Sequence, residues 1–185
     1  MDRRKFVFGA IGSGLIAAGI FPLLSSANKQ AINIGSMQND WKKLLAANAR
    51  IATDISPLEK SPEKWAKELP EDSFRVLFEE DTERAFTSPL NDEKRAGIFV
   101  CRACDLPLFS SAMKYDSGTG WPSFFTSIPN HLATKTDYKL IWPRTEYHCV
   151  KCGGHQGHVF DDGPAPTGQR WCNNGIALRF IPRDA

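Results

Sequence analysis

The chain has 185 residues and a mass of 20.6 kDa, room for one modest domain with short additions. Its 42% hydrophobic and 24% charged residues describe an ordinary folded protein and exclude disorder, collagen-like repeats and coiled coil. Lys and Arg number 23 against 21 Asp and Glu, a net charge of +2, too balanced for a nucleic-acid surface or a polyanionic partner.

Residues 1–27 place Arg3, Arg4 and Lys5 before an apolar run from Phe6 to Leu24 that ends in Ser25-Ser26-Ala27, the layout of a signal peptide. Gly9, Gly12, Gly14 and Gly19 weaken the run as a helix, and Ser25 and Ala27 suit cleavage after Ala27. Uncleaved, the run is long enough to span a bilayer, so membrane attachment is expected in that case alone. The head Arg3-Arg4-Lys5-Phe6-Val7 resembles a twin-arginine signal, which exports folded proteins. The expected destination is the periplasm.

Residues 28–61 form a polar N-terminal extension. The spacing of Trp41, Leu44, Leu45 and Ile51 predicts a helix near 40–51, capped by Asn39 or Asp40. Its task is to cover the domain or to space it from a membrane. The domain proper spans 62–185. Ser61, Pro62 and Glu63 mark one helix start, and Pro70, Glu71 and Asp72 begin a second short helix through Phe74 and Leu77. Past Asp81, short apolar runs at Gly97 to Cys101, Leu140 to Trp142, Thr145 to Val150, Val159-Phe160 and Ile176 to Ile181 read as strands. The connections are too short for helical crossovers, so the expected fold is mainly β, antiparallel, with short helices on the N-terminal side.

Five cysteines carry the chemistry. Cys101-Arg-Ala-Cys104 and Cys149-Val-Lys-Cys152 are two C-x-x-C knuckles, and Cys172 is left over. An exported protein could close the knuckles as disulfides. Such a bond, however, closes only a tiny loop, whereas one zinc on all four thiolates would join segments 44 residues apart and favours the metal. The run Cys152-Gly-Gly-His155-Gln-Gly-His158 fails as a haem-attachment motif because Gly153 follows the cysteine. It fails as a zinc-protease helix for want of a Glu and the i, i+4 spacing. Cys172 lies fourteen residues beyond His158, flanked by Arg170 and Asn174. In a strand, residues 170, 172 and 174 share one face, and a cysteine beside a cation and a histidine is the pattern of an activated thiolate.

Together these motifs resemble the peptide-methionine (R)-S-oxide reductases of the B type. The matching residues are Thr82-Glu83-Arg84, the first knuckle, Leu108-Phe109-Ser110-Ser111, Tyr115 through Gly120-Trp121-Pro122 to Phe124, the second knuckle, Gly157-His158-Val159-Phe160, Asp162-Gly163-Pro164 and Arg170-Trp171-Cys172-Asn173-Asn174, with Phe180 at the end. They cover about residues 62–183. The resemblance implies two antiparallel sheets and a structural four-cysteine zinc. It implies that Cys172 attacks the sulfoxide sulfur, that His158 and Asn174 orient and protonate the sulfoxide oxygen, and that Trp121 walls the substrate methyl. Arg170 would help keep Cys172 ionised, and His155 would lie beside the substrate. Oxidised proteins or peptides are the implied substrates, exported ones for this chain.

Three departures stand out. In many relatives a resolving cysteine occupies the place of Thr119, and this chain has no spare cysteine. A sulfenic acid on Cys172 would then return to thiol through an external thiol or thioredoxin-like partner. Gln156 and Asn173 stand where Leu and an aliphatic residue are common, and Trp171 where Tyr or Phe is. Two other classes predict different cysteines: a zinc-stapled binding module needs only the knuckles, and a thiol-disulfide exchanger needs a second redox cysteine beside Cys172.

Overall fold

The computed structural model describes residues 33–138 and 143–184. The signal-like segment 1–27 and the strand expected at 140–142 lie outside the described residues. The first element is a short helix, α1 (Ile34–Asn39), whose N-cap Asn33 accepts from the Ser36 N–H at 3.0 Å. A single 3₁₀ turn, Asp40–Leu44, continues it. The helix expected over 40–51 therefore begins earlier and stops at Leu44, with Leu45 already extended. Burial explains the change. Trp41 and Leu44 from the 3₁₀ turn, and Leu45, Ala49 and Ile51 from the chain after it, all lie on Ile98, Val100 and Ile181, and Ala52 N–H reaches the Asp105 carbonyl at 3.0 Å. Tertiary contact overrides a weak helical preference.

The next two helices begin where their sequence signals stand, α2 (Pro62–Glu68) after Ser61 and α3 (Glu71–Glu79) after Pro70. Trp65 of α2 stacks on Phe78 of α3 at 5.3 Å, while Val76 and Leu77 turn into the core. Among the described residues, no helix is long and apolar enough to cross a membrane.

Among the described residues nine strands follow: β1 (Gly97–Cys101), β2 (Pro107–Ser110), β3 (Lys114–Tyr115), β4 (Ser123–Phe124), β5 (Leu132–Asp137), β6 (Arg144–Cys149), β7 (His155–Phe160), β8 (Arg170–Asn173) and β9 (Leu178–Pro182). They make two sheets, ordered β2-β1-β9 and β3-β4-β8-β7-β6-β5, with every pairing antiparallel. The mainly β, two-sheet expectation holds. Strand β9 starts two residues later than its apolar run because Gly175–Ala177 forms a 3₁₀ turn. Phe99 from the small sheet meets Phe124 from the large one edge-on at 5.0 Å, and Phe109 stacks on Phe124 at 4.0 Å. This buried aromatic cluster fixes the two sheets against each other and so fixes both sites carried on their ends and faces.

Candidate functional site

The two knuckles are built alike. In the first, Cys101 O accepts from Asp105 N–H at 2.9 Å and Cys101 N–H donates to Leu106 O at 2.8 Å; in the second, Cys149 O accepts from Gly153 N–H at 2.9 Å and Cys149 N–H donates to Gly154 O at 2.9 Å. Each turn requires a positive φ at its fourth residue after the first cysteine, supplied by Asp105 (59°) and Gly153 (72°). The result brings Cys101, Cys104, Cys149 and Cys152 together, every sulfur within 4.8 Å of the others. Sulfur separations of 3.6 Å for Cys101–Cys152 and 3.5 Å for Cys104–Cys149 leave all four thiols free. They approach the edge of about 3.8 Å that a tetrahedron with 2.3 Å zinc–sulfur bonds requires. Hydrogen bonds from Cys101, Cys104 and Cys152 hold the Cys149 thiol far below its usual range, and the same crowding, with full burial, pushes Cys101 up. The donor set and spacing therefore fit a tetrahedral divalent cation.

The second site lies on the face of the large sheet. Cys172 in β8 stands opposite Ser123 of β4 on one side and His158 of β7 on the other. Close approach of β7 and β8 depends on Gly157, where a Cβ would come within 2.0 Å of the Cys172 carbonyl oxygen. Trp121, Arg144, His158, Phe160, Cys172 and Asn174 line a small open pocket of about 110 Å³. A larger groove of about 830 Å³ runs beside α3, Ile176 and Phe180, away from Cys172. Burial pushes the Cys172 thiol up from its ordinary value; Arg170 and a hydrogen bond from the Thr119 hydroxyl pull the other way without overcoming it. Arg170 is itself held by Asp162, through Nε at 2.7 Å and a second nitrogen at 2.9 Å, and lies over Phe160.

Glu83 organises the substrate-side groups. Its backbone N–H donates to Asn174 Oδ1 at 3.1 Å and its carbonyl accepts from Trp121 Nε1 at 3.1 Å. Its carboxylate accepts from the backbone N–H of Gly175, and from that of Ile176 at 3.0 Å. Asn174 Nδ2 gives one hydrogen to the Gln156 carbonyl at 3.2 Å, leaving the other for a ligand. Glu83→Gln should cost about 1–3 kcal/mol in a urea titration, because one backbone N–H then faces an amide NH₂. An unchanged midpoint would show that the loop does not depend on this carboxylate.

His158 Nε2 bonds Asp137 Oδ2 at 2.9 Å, and Arg144 donates to the same oxygen at 2.6 Å. Burial pushes His158 below its ordinary value, although Asp137 pulls it up. His155 lies behind, its ring 5.5 Å from His158, only 2% exposed and bonded to Glu146 Oε1 at 2.6 Å. Burial pushes it down to about 4. Of the residues singled out in the sequence, Cys172, His158, Asn174 and Trp121 meet at the pocket; His155 and Arg170 do not line it. Asp137 and Glu146 escaped sequence reasoning. Asp137 reaches His158 through the register that pairs it with Arg144, which no local motif announces.

The SelR domain matches residues 69–182. The chain is 47% identical over 131 residues to the peptide methionine sulfoxide reductase MsrB of Hahella chejuensis, covering 70% of this chain and 94% of that protein. It is 40% identical over 158 residues to the chloroplastic peptide methionine sulfoxide reductase B1 of Arabidopsis thaliana, covering 85% and 78%. With the MsrB of Pseudomonas putida the identity is 47% over 131 residues, covering 70% and 98%.

Proposed function

The chain belongs to the SelR family of B-type peptide methionine sulfoxide reductases, and from that premise we propose that it reduces methionine-R-sulfoxide through a sulfenic acid on Cys172. The observation that carries this reading is the pairing of Cys172 with His158 across β7 and β8, in a pocket shared with Trp121 and Asn174. The Trp121 ring takes the substrate methyl. The free hydrogen of Asn174 Nδ2 and the His158 imidazolium meet the sulfoxide oxygen, which leaves sulfur only once protonated. The Cys172 thiolate, the sulfoxide and one proton give Cys172 sulfenic acid and methionine. Oxygen passes to the cysteine sulfur, which loses two electrons, and the methionine sulfur gains them.

The remaining four cysteines stand together at the knuckles, so with a metal on them none is left to condense with that sulfenic acid. Two equivalents of external thiol therefore restore Cys172, releasing a disulfide and water. Cys101, Cys104, Cys149 and Cys152 would hold a zinc ion, whose chemistry there is to cross-link the β1–β2 and β6–β7 turns. The signal-like head directs this activity to oxidised proteins outside the cytoplasm.

The ionisations set a pH profile. Reaction needs the Cys172 thiolate and the His158 imidazolium together, and His158 lies below its ordinary 6.5 while Cys172 lies above 9.0. Between these limits each gain in thiolate with rising pH is matched by an equal loss of imidazolium, so kcat/KM stays level. It falls below the histidine pKa as thiolate is lost, and above the cysteine pKa as imidazolium is lost. A plateau bounded below 6.5 and above 9.0 is the expected profile. His158→Gln should lower activity about a hundredfold and replace the plateau by a rate that climbs with the thiolate up to the cysteine pKa and shows no alkaline fall. An acid limb above pH 7 in the parent protein would contradict this assignment.

The reading is tested with the full chain, a dithiol and separated R and S sulfoxide peptides. Turnover of the R form only is expected, with a dimedone adduct on Cys172 and no disulfide to a knuckle cysteine. Turnover of the S form, or a disulfide from Cys172 to any of the four, would overturn it.

A further inference from the structure

Gln156, the second residue of β7, touches both sites. Its side chain is wholly buried, as are those of Tyr147 and Asn173, so no solvent competes for their hydrogen bonds. The Gln156 Nε2 donates to Cys101 Sγ at 3.4 Å and to the Gly154 carbonyl at 3.5 Å. The other end of the same amide, Oε1, accepts from Asn173 Nδ2 at 3.5 Å. Asn173 Oδ1 in turn accepts from the Tyr147 hydroxyl at 2.9 Å. Every bond in this line donates toward the sulfur, so each polarises the next and the last meets a thiol that becomes a thiolate when it binds a cation. The backbone carbonyl of Gln156 meanwhile accepts both the N–H of Asn174, at 2.8 Å, and its Nδ2, at 3.2 Å.

We infer that Gln156 is a positioning residue that fastens the four-cysteine centre to the reactive strand: Tyr147 and Asn173 orient its amide onto Cys101, and its carbonyl anchors Asn174 beside the sulfoxide site. This rests on the reading that the four cysteines hold a metal. The apolar partners of Cys101 in the core pack the sulfur but cannot stabilise its charge. Gln156 supplies a hydrogen bond to it from inside the protein, and Asn173, next to Cys172, decides how that amide is turned.

The test uses the full chain carrying one zinc, with release followed by a chromophoric chelator. Gln156→Leu should release zinc about tenfold faster than the parent, and Asn173→Val should give a smaller acceleration. Because Asn173 acts on the sulfur only through Gln156, the double variant should match Gln156→Leu within about twofold. Release at the parental rate in Gln156→Leu, or a double variant equal to the product of the singles, would overturn the inference. A second measurement needs no variant: in parent protein loaded with cadmium-113, scalar coupling from the metal should appear on a Gln156 side-chain amide proton, and its absence is equally fatal. Parent protein that binds neither zinc nor cadmium would remove the metal reading and this inference together, whereas a metal-bound parent with unmoved release removes the inference alone.

Discussion

Cys172→Ser should abolish turnover of the R-sulfoxide, lowering kcat/KM by at least about a thousandfold, with zinc content and melting temperature unchanged. The side chain is partly exposed on the outer face of β8 and packs on no core cluster. Serine occupies nearly the same volume and can accept the Thr119 hydrogen bond that Cys172 takes, so the fold has no reason to respond. The chemistry does. A serine hydroxyl ionises far above the range of a thiol, and its oxygen cannot take up the sulfoxide oxygen as a cysteine sulfur does in becoming a sulfenic acid. Measurable turnover in a folded, zinc-bound Cys172→Ser protein would place the nucleophile elsewhere.

Cys104→Ser should act in the opposite way, on the fold first. With zinc held as proposed, losing one of four ligands exposes three crowded thiols to each other and removes the cross-link between turns far apart in sequence. Structural zinc contributes on the order of 10 kcal/mol in small domains, and a fall of several kcal/mol at 2–4 °C per kcal/mol lowers the melting temperature by more than about 10 °C. Zinc measured on the purified variant should drop to near zero. A variant retaining one zinc per chain at an unchanged melting temperature would show that Cys104 is not a ligand.

The two sites differ in how far the sequence disclosed them. The knuckles are local: a C-x-x-C spacing names both members, and the structure adds only that the two turns meet. The pairing of Cys172 with His158 follows from one antiparallel register, and the alternation along β8 points Trp171 and Asn173 toward Tyr147 and leaves Cys172 outside. Asp137 and Glu146 were beyond reach for a physical reason. They lie in β5 and β6, and their nearness to His158 and His155 needs the register across three strands, one of which, Leu132–Asp137, is an edge strand of mostly exposed polar residues with no apolar rhythm to announce it. The misplaced helix near 40–51 has a related cause. Its apolar spacing fits one face of a helix, yet a 3₁₀ turn and the irregular chain after it, draped over β1 and β9, bury the same side chains.

That draped segment carries a consequence for where the protein begins as a physical object. The SelR match starts at residue 69, but Trp41, Leu44, Leu45, Ala49 and Ile51 roof over Ile98, Val100 and Ile181, side chains that would otherwise meet water on the outer face of the small sheet. The SelR match and burial thus draw the frontier of this domain 28 residues apart, at 69 and at 41, and the stretch that looks like an appendage is part of what keeps the small sheet dry.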